Sequence, residues 1–304
     1  MGLITEQAAK RFFGRQHHDN AGRISPYLNR IMGPDFAGYL IDRDAHRAVL
    51  EALPFERLSI SAEDGAELAA HWYQNPVPTE RTAVLIHGHG SCGFEGYASV
   101  GLEYIRRGYN ILLPDNRACG ESGGEVCTFG ILESRDSLRW VREALRRRPR
   151  DSIVLHGCSL GAAAVCMMTC MDLPFAVRAA VSDCSYADAV GQIGRMIRLA
   201  YLPEWPLLQL EVRWFQRHAG MDLHEACPLE AVRRAEVPIL FIHGGSDHYV
   251  PPGDARLLYE ACSSEKELLL VKGAGHAASH YADRDGYCRT LFGFLESHLK
   301  ESAE

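Results

Sequence analysis

The feature that most narrows what this chain can fold into is a repeated alternation. A short run of residues apolar on both faces is followed by a glycine-containing turn, then by an amphipathic stretch long enough for a helix. The runs fall at 83–87, 110–114, 152–156, 179–182, 238–243 and 267–271. A strand with no polar side has nothing to show to water, so these six predict the interior of a sheet covered on both surfaces. Ahead of them, 57–61 and 67–73 flank Asp64-Gly65, a strong hairpin signal. Helical patterns follow at 95–107, 133–148, 160–170, 254–262 and 281–299. A hairpin followed by successive βα units predicts an α/β fold, an eight-stranded and mostly parallel sheet with helices on both faces. Reactive groups in such sheets collect beyond the carboxyl ends of the strands.

Two stretches break the alternation. Residues 1–54 read as an N-terminal helical extension with apolar Phe12, Phe13, Tyr27, Leu28, Ile31 and Met32, which leaves 55–304 as the sheet domain. Residues 187–235, between the sixth and seventh strands, carry Met196, Ile197, Tyr201, Leu202, Trp205, Leu207, Leu208, Trp214 and Phe215. An aromatic-rich helical insertion above strand ends reads as a small lid over a substrate pocket, with Trp205, Trp214 and Tyr249 as candidate lining. The competing reading is that these residues form only the insertion's own core.

Composition removes whole classes. With 304 residues, 47% hydrophobic and 23% charged, the chain can bury a large core and is neither disordered nor fibrous. Its net charge of −7 and lack of a basic stripe argue against nucleic acid as a partner. The one dense basic cluster, Arg146, Arg147, Arg148 and Arg150, closes a predicted helix, where cations favour the negative end of the dipole. Ten cysteines include no Cys-x-x-Cys pair, which disfavours zinc-ribbon and thioredoxin-like sites. Cys158, Cys166 and Cys170 lie in apolar runs, where a free thiol packs as a small hydrophobe. The first residues show neither a signal peptide nor a myristoylation pattern, and no run is long enough for an integral membrane segment. The expectation is a cytoplasmic protein.

Three loops carry chemistry. Gly157-Cys158-Ser159-Leu160-Gly161 joins a predicted strand to a predicted helix. A turn that sharp needs small flanking residues, and it pushes the Ser159 hydroxyl into the open at a helix N-terminus. The pentapeptide alone is weak evidence; its strand–turn–helix setting is what gives it weight. A serine hydroxyl attacks only when a base takes its proton, and that base needs an orienting carboxylate. Asp247 follows the seventh strand, His276 follows the last, and Ser, Asp, His is the order of the α/β-hydrolase arrangement. The glycine-flanked His87-Gly88-His89-Gly90 loop after the third strand can bring backbone N–H groups close to an oxyanion, joined by the N–H of Leu160. A metal held by His87 and His89 is the rival use of that loop, and no further ligand at suitable spacing accompanies them.

At this point the chain resembles the α/β-hydrolase superfamily, and within it serine hydrolases of the prolyl-oligopeptidase and cinnamoyl-esterase type, including poorly characterised bacterial members. The resemblance runs from about Leu58 to Leu299 on HGHG (87–90), PDNRACGESGG (114–124), GCSLG (157–161), HGGSDHYVP (243–251) and GAGH (273–276). It implies Ser159 as nucleophile, His276 as base, Asp247 as its carboxylate, and the backbone N–H groups of His89 and Leu160 as oxyanion donors. Asp115 would bond loop backbone. The chain departs from relatives at Cys158 and in residues 1–54.

Rivals for each role are specific. Asp183, ending the sixth strand, could orient the histidine in place of Asp247, and His280 lies one helical turn past His276. His248 and Tyr249 either line the pocket mouth or sit on the surface. The predicted reaction is two-step acyl transfer on a small apolar ester, with amide and thioester substrates open, and it needs neither metal nor organic cofactor. An acyltransferase or peptidase would use the same groups; a non-catalytic binding protein would need none of them. A dehalogenase is disfavoured by Ser159 at the elbow, and a true oligopeptidase by the lack of room for a propeller domain.

Overall fold

The computed structural model describes residues 2–15 and 31–299. All eight predicted strands form, as β1 (Glu56–Ser61), β2 (Glu67–Tyr73), β3 (Arg81–Ile86), β4 (Asn110–Pro114), β5 (Ser152–Cys158), β6 (Val177–Asp183), β7 (Ile239–Gly244) and β8 (Lys266–Val271). They make one sheet in the order β1-β2-β4-β3-β5-β6-β7-β8. β1–β2 and β2–β4 pair antiparallel, and the rest of the sheet is parallel.

Alternation along each strand divides the core in two. Val84 and Ile86 of β3 point to a cluster with Leu138, Trp140 and Val141 of α5 (Ile131–Arg147) and Val165, Cys166 and Met168 of α6 (Leu160–Met168). That face is completed by Leu258 of α10 (Pro252–Ala261). Ala83 and Leu85 point the other way, onto Leu50 of α2 (Phe36–Glu51), Leu102 and Tyr104 of α4 (Ala98–Arg106), and Tyr287 to Leu299 of α12 (Arg284–Leu299). These side chains are buried, and each Val, Leu, Ile, Phe or Met among them contributes about 1.5–3 kcal/mol of transfer free energy. Of the basic cluster at the end of α5, Arg146, Arg147 and Arg148 pair with Glu143, Glu56 and Asp151 respectively.

Strand order sets the site. β3 leads to β4 on one side, whereas β5 lies on its other side and leads on to β6, so the chain switches direction between β3 and β5. Loops leaving the carboxyl ends of these two strands diverge and open a crevice there. Both the HGHG loop and the Ser159 turn leave from this point.

A third cluster lies outside the sheet. The insertion folds as α7 (Ala189–Leu199), α8 (Glu204–Ala219) and α9 (Pro228–Val232), with the N-terminal helix α1 (Gly2–Phe13) against α8. Phe13 is fully buried among Phe129, Trp214 and Phe215, stacked on Trp214 at 5.5 Å between ring centroids. Much of the insertion's apolar surface is therefore consumed by packing on α1. Tyr201, Leu202 and Trp205 are exposed instead. Ile31 is buried and Met32 half-buried, while Tyr27 and Leu28 lie outside the described residues. No described helix is long and apolar enough to cross a membrane.

Candidate active site

Ser159 sits where β5 turns into α6, at φ 55° and ψ −115°. A non-glycine residue at positive φ costs on the order of 1–3 kcal/mol and persists only where the surroundings fix it. Here two contacts do so. The Ser159 amide donates to the Asp183 carbonyl at the end of β6 (2.8 Å), and Gly161 lies so close to β3 that a β-carbon there would run into the Ile86 carbonyl. The second contact explains the glycine of the motif: α6 can start only if its first turn slides against the end of β3.

The structure brings the three side chains singled out from sequence together. Ser159 Oγ lies 2.9 Å from His276 Nε2, and His276 Nδ1 lies 2.7 Å from Asp247 Oδ2. A carboxylate can only accept, so Nδ1 carries the proton and Nε2 is free to accept from the hydroxyl. The other oxygen of Asp247 accepts from the Tyr249 and Val250 amides at 2.9 and 2.8 Å. Burial pushes the Asp247 carboxyl up, but the adjacent His276 and hydrogen bonds from His243 and His276 outweigh it and hold it down at about 2. It is therefore ionised across the working range of most enzymes.

His243 is a member of this cluster that the sequence reading did not single out. Fully buried, it directs Nε2 to the Val250 carbonyl (2.9 Å) and stands 3.3 Å from Asp247 Oδ2. Burial works against its charged form, yet the Asp247 carboxylate prevails and raises its pKa above the usual histidine value. The signal was present, since His243 opens the HGGSDHYVP run four residues before the acid, but it reads there as the end of a strand.

The rivals are placed elsewhere. Asp183 accepts from the Tyr287 hydroxyl at 2.9 Å, and burial pushes its carboxyl up to about 6 despite that bond. His280 is buried beside Tyr287, 5.3 Å between rings, and desolvation lowers its pKa to about 4. Cys158 turns its thiol to Cys184, 3.9 Å away, rather than toward the serine hydroxyl. Asp115 bonds loop backbone as expected, accepting from the Gly93 and Glu121 amides at 2.9 and 2.8 Å. His87 spends both ring nitrogens within the fold, on the Gly88 carbonyl and the Asn116 amide, which removes it as a metal ligand.

The HGHG loop passes directly over the nucleophile: a β-carbon on Gly88 would stand 3.8 Å from Ser159 Oγ. Leu160 opens α6, where the first-turn amides have no intrahelical partner. Of the proposed lining residues, Tyr249 meets the site, its ring 4.9 Å from that of His276. Trp205 is 75% exposed, at a non-helical residue (φ −92°, ψ 132°) near the start of α8. Trp214 is committed to Phe13 and to His218, on which it stacks at 4.0 Å.

The profile of the Alpha/beta hydrolase family matches residues 83–290, well over half of the chain, and the chain belongs to that family. It is 29% identical over 232 residues to the uncharacterized protein YqkD of Bacillus subtilis, covering 75% of each chain. It is 27% identical over 245 residues to the esterase LipC of Mycobacterium tuberculosis, covering 72% of this chain and 59% of that one. Among solved structures, an esterase of Pyrococcus furiosus superposes with a TM-score of 0.65 at 24% identity, over 82% of this chain and 93% of that one. The last similarity speaks to fold.

Proposed function

We propose that this chain is a serine hydrolase that cleaves a carboxylic ester of a small apolar molecule through an acyl-enzyme intermediate. Ser159 attacks the carbonyl carbon as His276 Nε2 takes its proton, and Asp247 stabilises the resulting imidazolium. The backbone N–H groups of His89 and Leu160 receive the oxyanion. His276 then protonates the leaving alcohol, and a water molecule, activated by the same ring, releases the acid and regenerates the serine. The observation that carries the reading is the Ser159–His276–Asp247 chain of hydrogen bonds at 2.9 and 2.7 Å. The preference for esters draws on the esterase named among its relatives, and that for apolar groups on Leu160 and Tyr249 belonging to an apolar cluster.

Ser159→Ala tests it. The expected result is loss of at least about 10⁴-fold in p-nitrophenyl ester hydrolysis with the fold retained, together with loss of labelling by a fluorophosphonate. Hydrolysis near the parent rate in that variant would overturn the reading. A chain-length series of esters beside aryl amides and acyl thioesters separates the substrate classes.

A further inference from the structure

The N-terminal region is bonded to the candidate site at two places. Where α1 ends, the Phe12 carbonyl accepts from His89 Nε2 at 2.7 Å, and the Phe13 carbonyl accepts from the Cys127 amide at 2.6 Å. Gly14 bridges Val126, and the Arg15 guanidinium donates to the carbonyls of Gly120, Ser122 and Gly124 at 3.0, 2.8 and 3.3 Å. Further along, the Met32 carbonyl accepts from the His276 amide at 2.5 Å. Gly33, at φ 116°, lies so close to Gly275 that a β-carbon on it would collide with that backbone. One stretch of chain thus reaches both the loop assigned to the oxyanion and the loop that carries the base.

The first of these contacts bears most directly on chemistry. The His89 amide is the one assigned to the oxyanion, yet Gly88 and Gly90 flank it, and Gly90 is at φ 69°. Glycine is the residue with the most backbone freedom, so the local chain does little to hold that N–H in one direction. The side chain supplies what the backbone lacks. Burial lowers the His89 pKa despite the bond to Phe12, leaving a neutral ring with one N–H, and the Phe12 carbonyl requires that proton on Nε2. The ring also leans on Phe129, 5.7 Å away.

We propose that His89 is a positioning residue: by donating Nε2–H to the Phe12 carbonyl, its ring fixes the backbone amide that receives the oxyanion. The N-terminal helix thereby becomes a working part of the acyl-transfer site. This inference rests on the serine-hydrolase reading above. A whole oxyanion donor is worth about 10²–10³ in kcat, and an amide left wandering forfeits part of that.

The test compares His89→Leu, which keeps bulk and removes the donor, with His89→Gln, whose amide N–H reaches about as far as Nε2. Leucine is expected to lower kcat on p-nitrophenyl acetate by about 10- to 100-fold with KM within about twofold. Glutamine is expected to restore kcat to within about threefold of the parent. A role confined to anchoring the helix would lower the melting temperature and leave the kcat of folded protein unchanged. Leucine retaining kcat within threefold, or glutamine falling as far as leucine, would overturn the proposal. Should leucine not fold, His89→Asn is polar but too short to reach Phe12, and it carries the same expectation and the same refutation. A dead Ser159→Ala beside a fully active His89→Leu sinks this inference alone, whereas an active Ser159→Ala sinks the hydrolase reading beneath it.

Discussion

Asp247→Asn is isosteric, and the structure dictates what it would do to the reaction. Asp247 Oδ1 accepts from two amides, those of Tyr249 and Val250. An asparagine must keep its carbonyl oxygen there, because its NH₂ would otherwise set donor against donor. The NH₂ then faces His276 Nδ1, which can accept only by giving up its proton, and the single proton of the neutral ring moves to Nε2. That nitrogen lies 2.9 Å from Ser159 Oγ and would now be donating where it must accept. The same inversion of tautomer in a Ser-His-Asp site costs about 10⁴ in kcat, equivalent to about 5–6 kcal/mol at about 1.4 kcal/mol per decade. The assay is steady-state hydrolysis of p-nitrophenyl acetate, with circular dichroism to show that the fold survives. KM should change little, because Asp247 is buried and both its oxygens are taken by protein groups. An Asn variant within about tenfold of the parent kcat would refute the tautomer argument and reopen the choice of acid.

Two further substitutions test packing and electrostatics. Gly161→Ala forces a β-carbon against the Ile86 and His87 carbonyls, and overpacking of that kind costs about 1–3 kcal/mol. Urea unfolding should show that loss alongside reduced turnover, whereas Gly253→Ala, with nothing within 4 Å of its β-carbon, should be neutral or slightly stabilising. Glu211 is 1% exposed on the insertion, and burial raises its pKa from 4.5 to about 7. The folded state therefore keeps this proton to higher pH than the unfolded state, so its contribution is most favourable below 4.5 and worsens as pH rises to 7. Glu211→Gln should match the parent near pH 4 and exceed its stability at pH 8 by up to about 3–4 kcal/mol, for a rise from 4.5 to about 7 at about 1.4 kcal/mol per pH unit. Equal urea midpoints at pH 8 would contradict this.

Those parts of the molecule governed by side-chain pattern were legible in the sequence. The strands declared themselves because residues such as Val84, Leu85 and Ile86 are apolar toward both layers, and each candidate site residue came with its own turn motif. Helix limits moved where capping decides them. The 133–148 helix begins at Ile131, because the Glu133 carboxylate reaches back to the Gly130 and Thr128 amides. The 95–107 segment divides at Tyr97, whose φ of −126° interrupts it. What could not be read are contacts made by backbone. The Phe12 and Met32 carbonyls that hold His89 and His276 have no side-chain signature, so the extension read only as apolar helix. In the insertion the aromatic content was visible, but not that Phe13 would pack on Trp214 and Phe215.

Geometry separates the two candidate acids: both are buried at neighbouring strand ends, but His276 Nδ1 lies 2.7 Å from Asp247 Oδ2, whereas the Asp183 carboxylate is bonded to Tyr287. Electrostatics points the same way. A group that stabilises an imidazolium must itself be charged when the proton arrives. Asp183 has one oxygen bonded to a neutral phenol and the other without a partner, so burial dominates and its carboxyl titrates near 6. Asp247 has two amides on one oxygen and two histidines near the other, and it titrates near 2. The same chemical group is thus driven in opposite directions by its surroundings, which is how a site sets apart groups of one kind for different roles. On this argument Asp183→Asn should leave turnover largely intact while Asp247→Asn does not, because only Asp247 is hydrogen-bonded to His276.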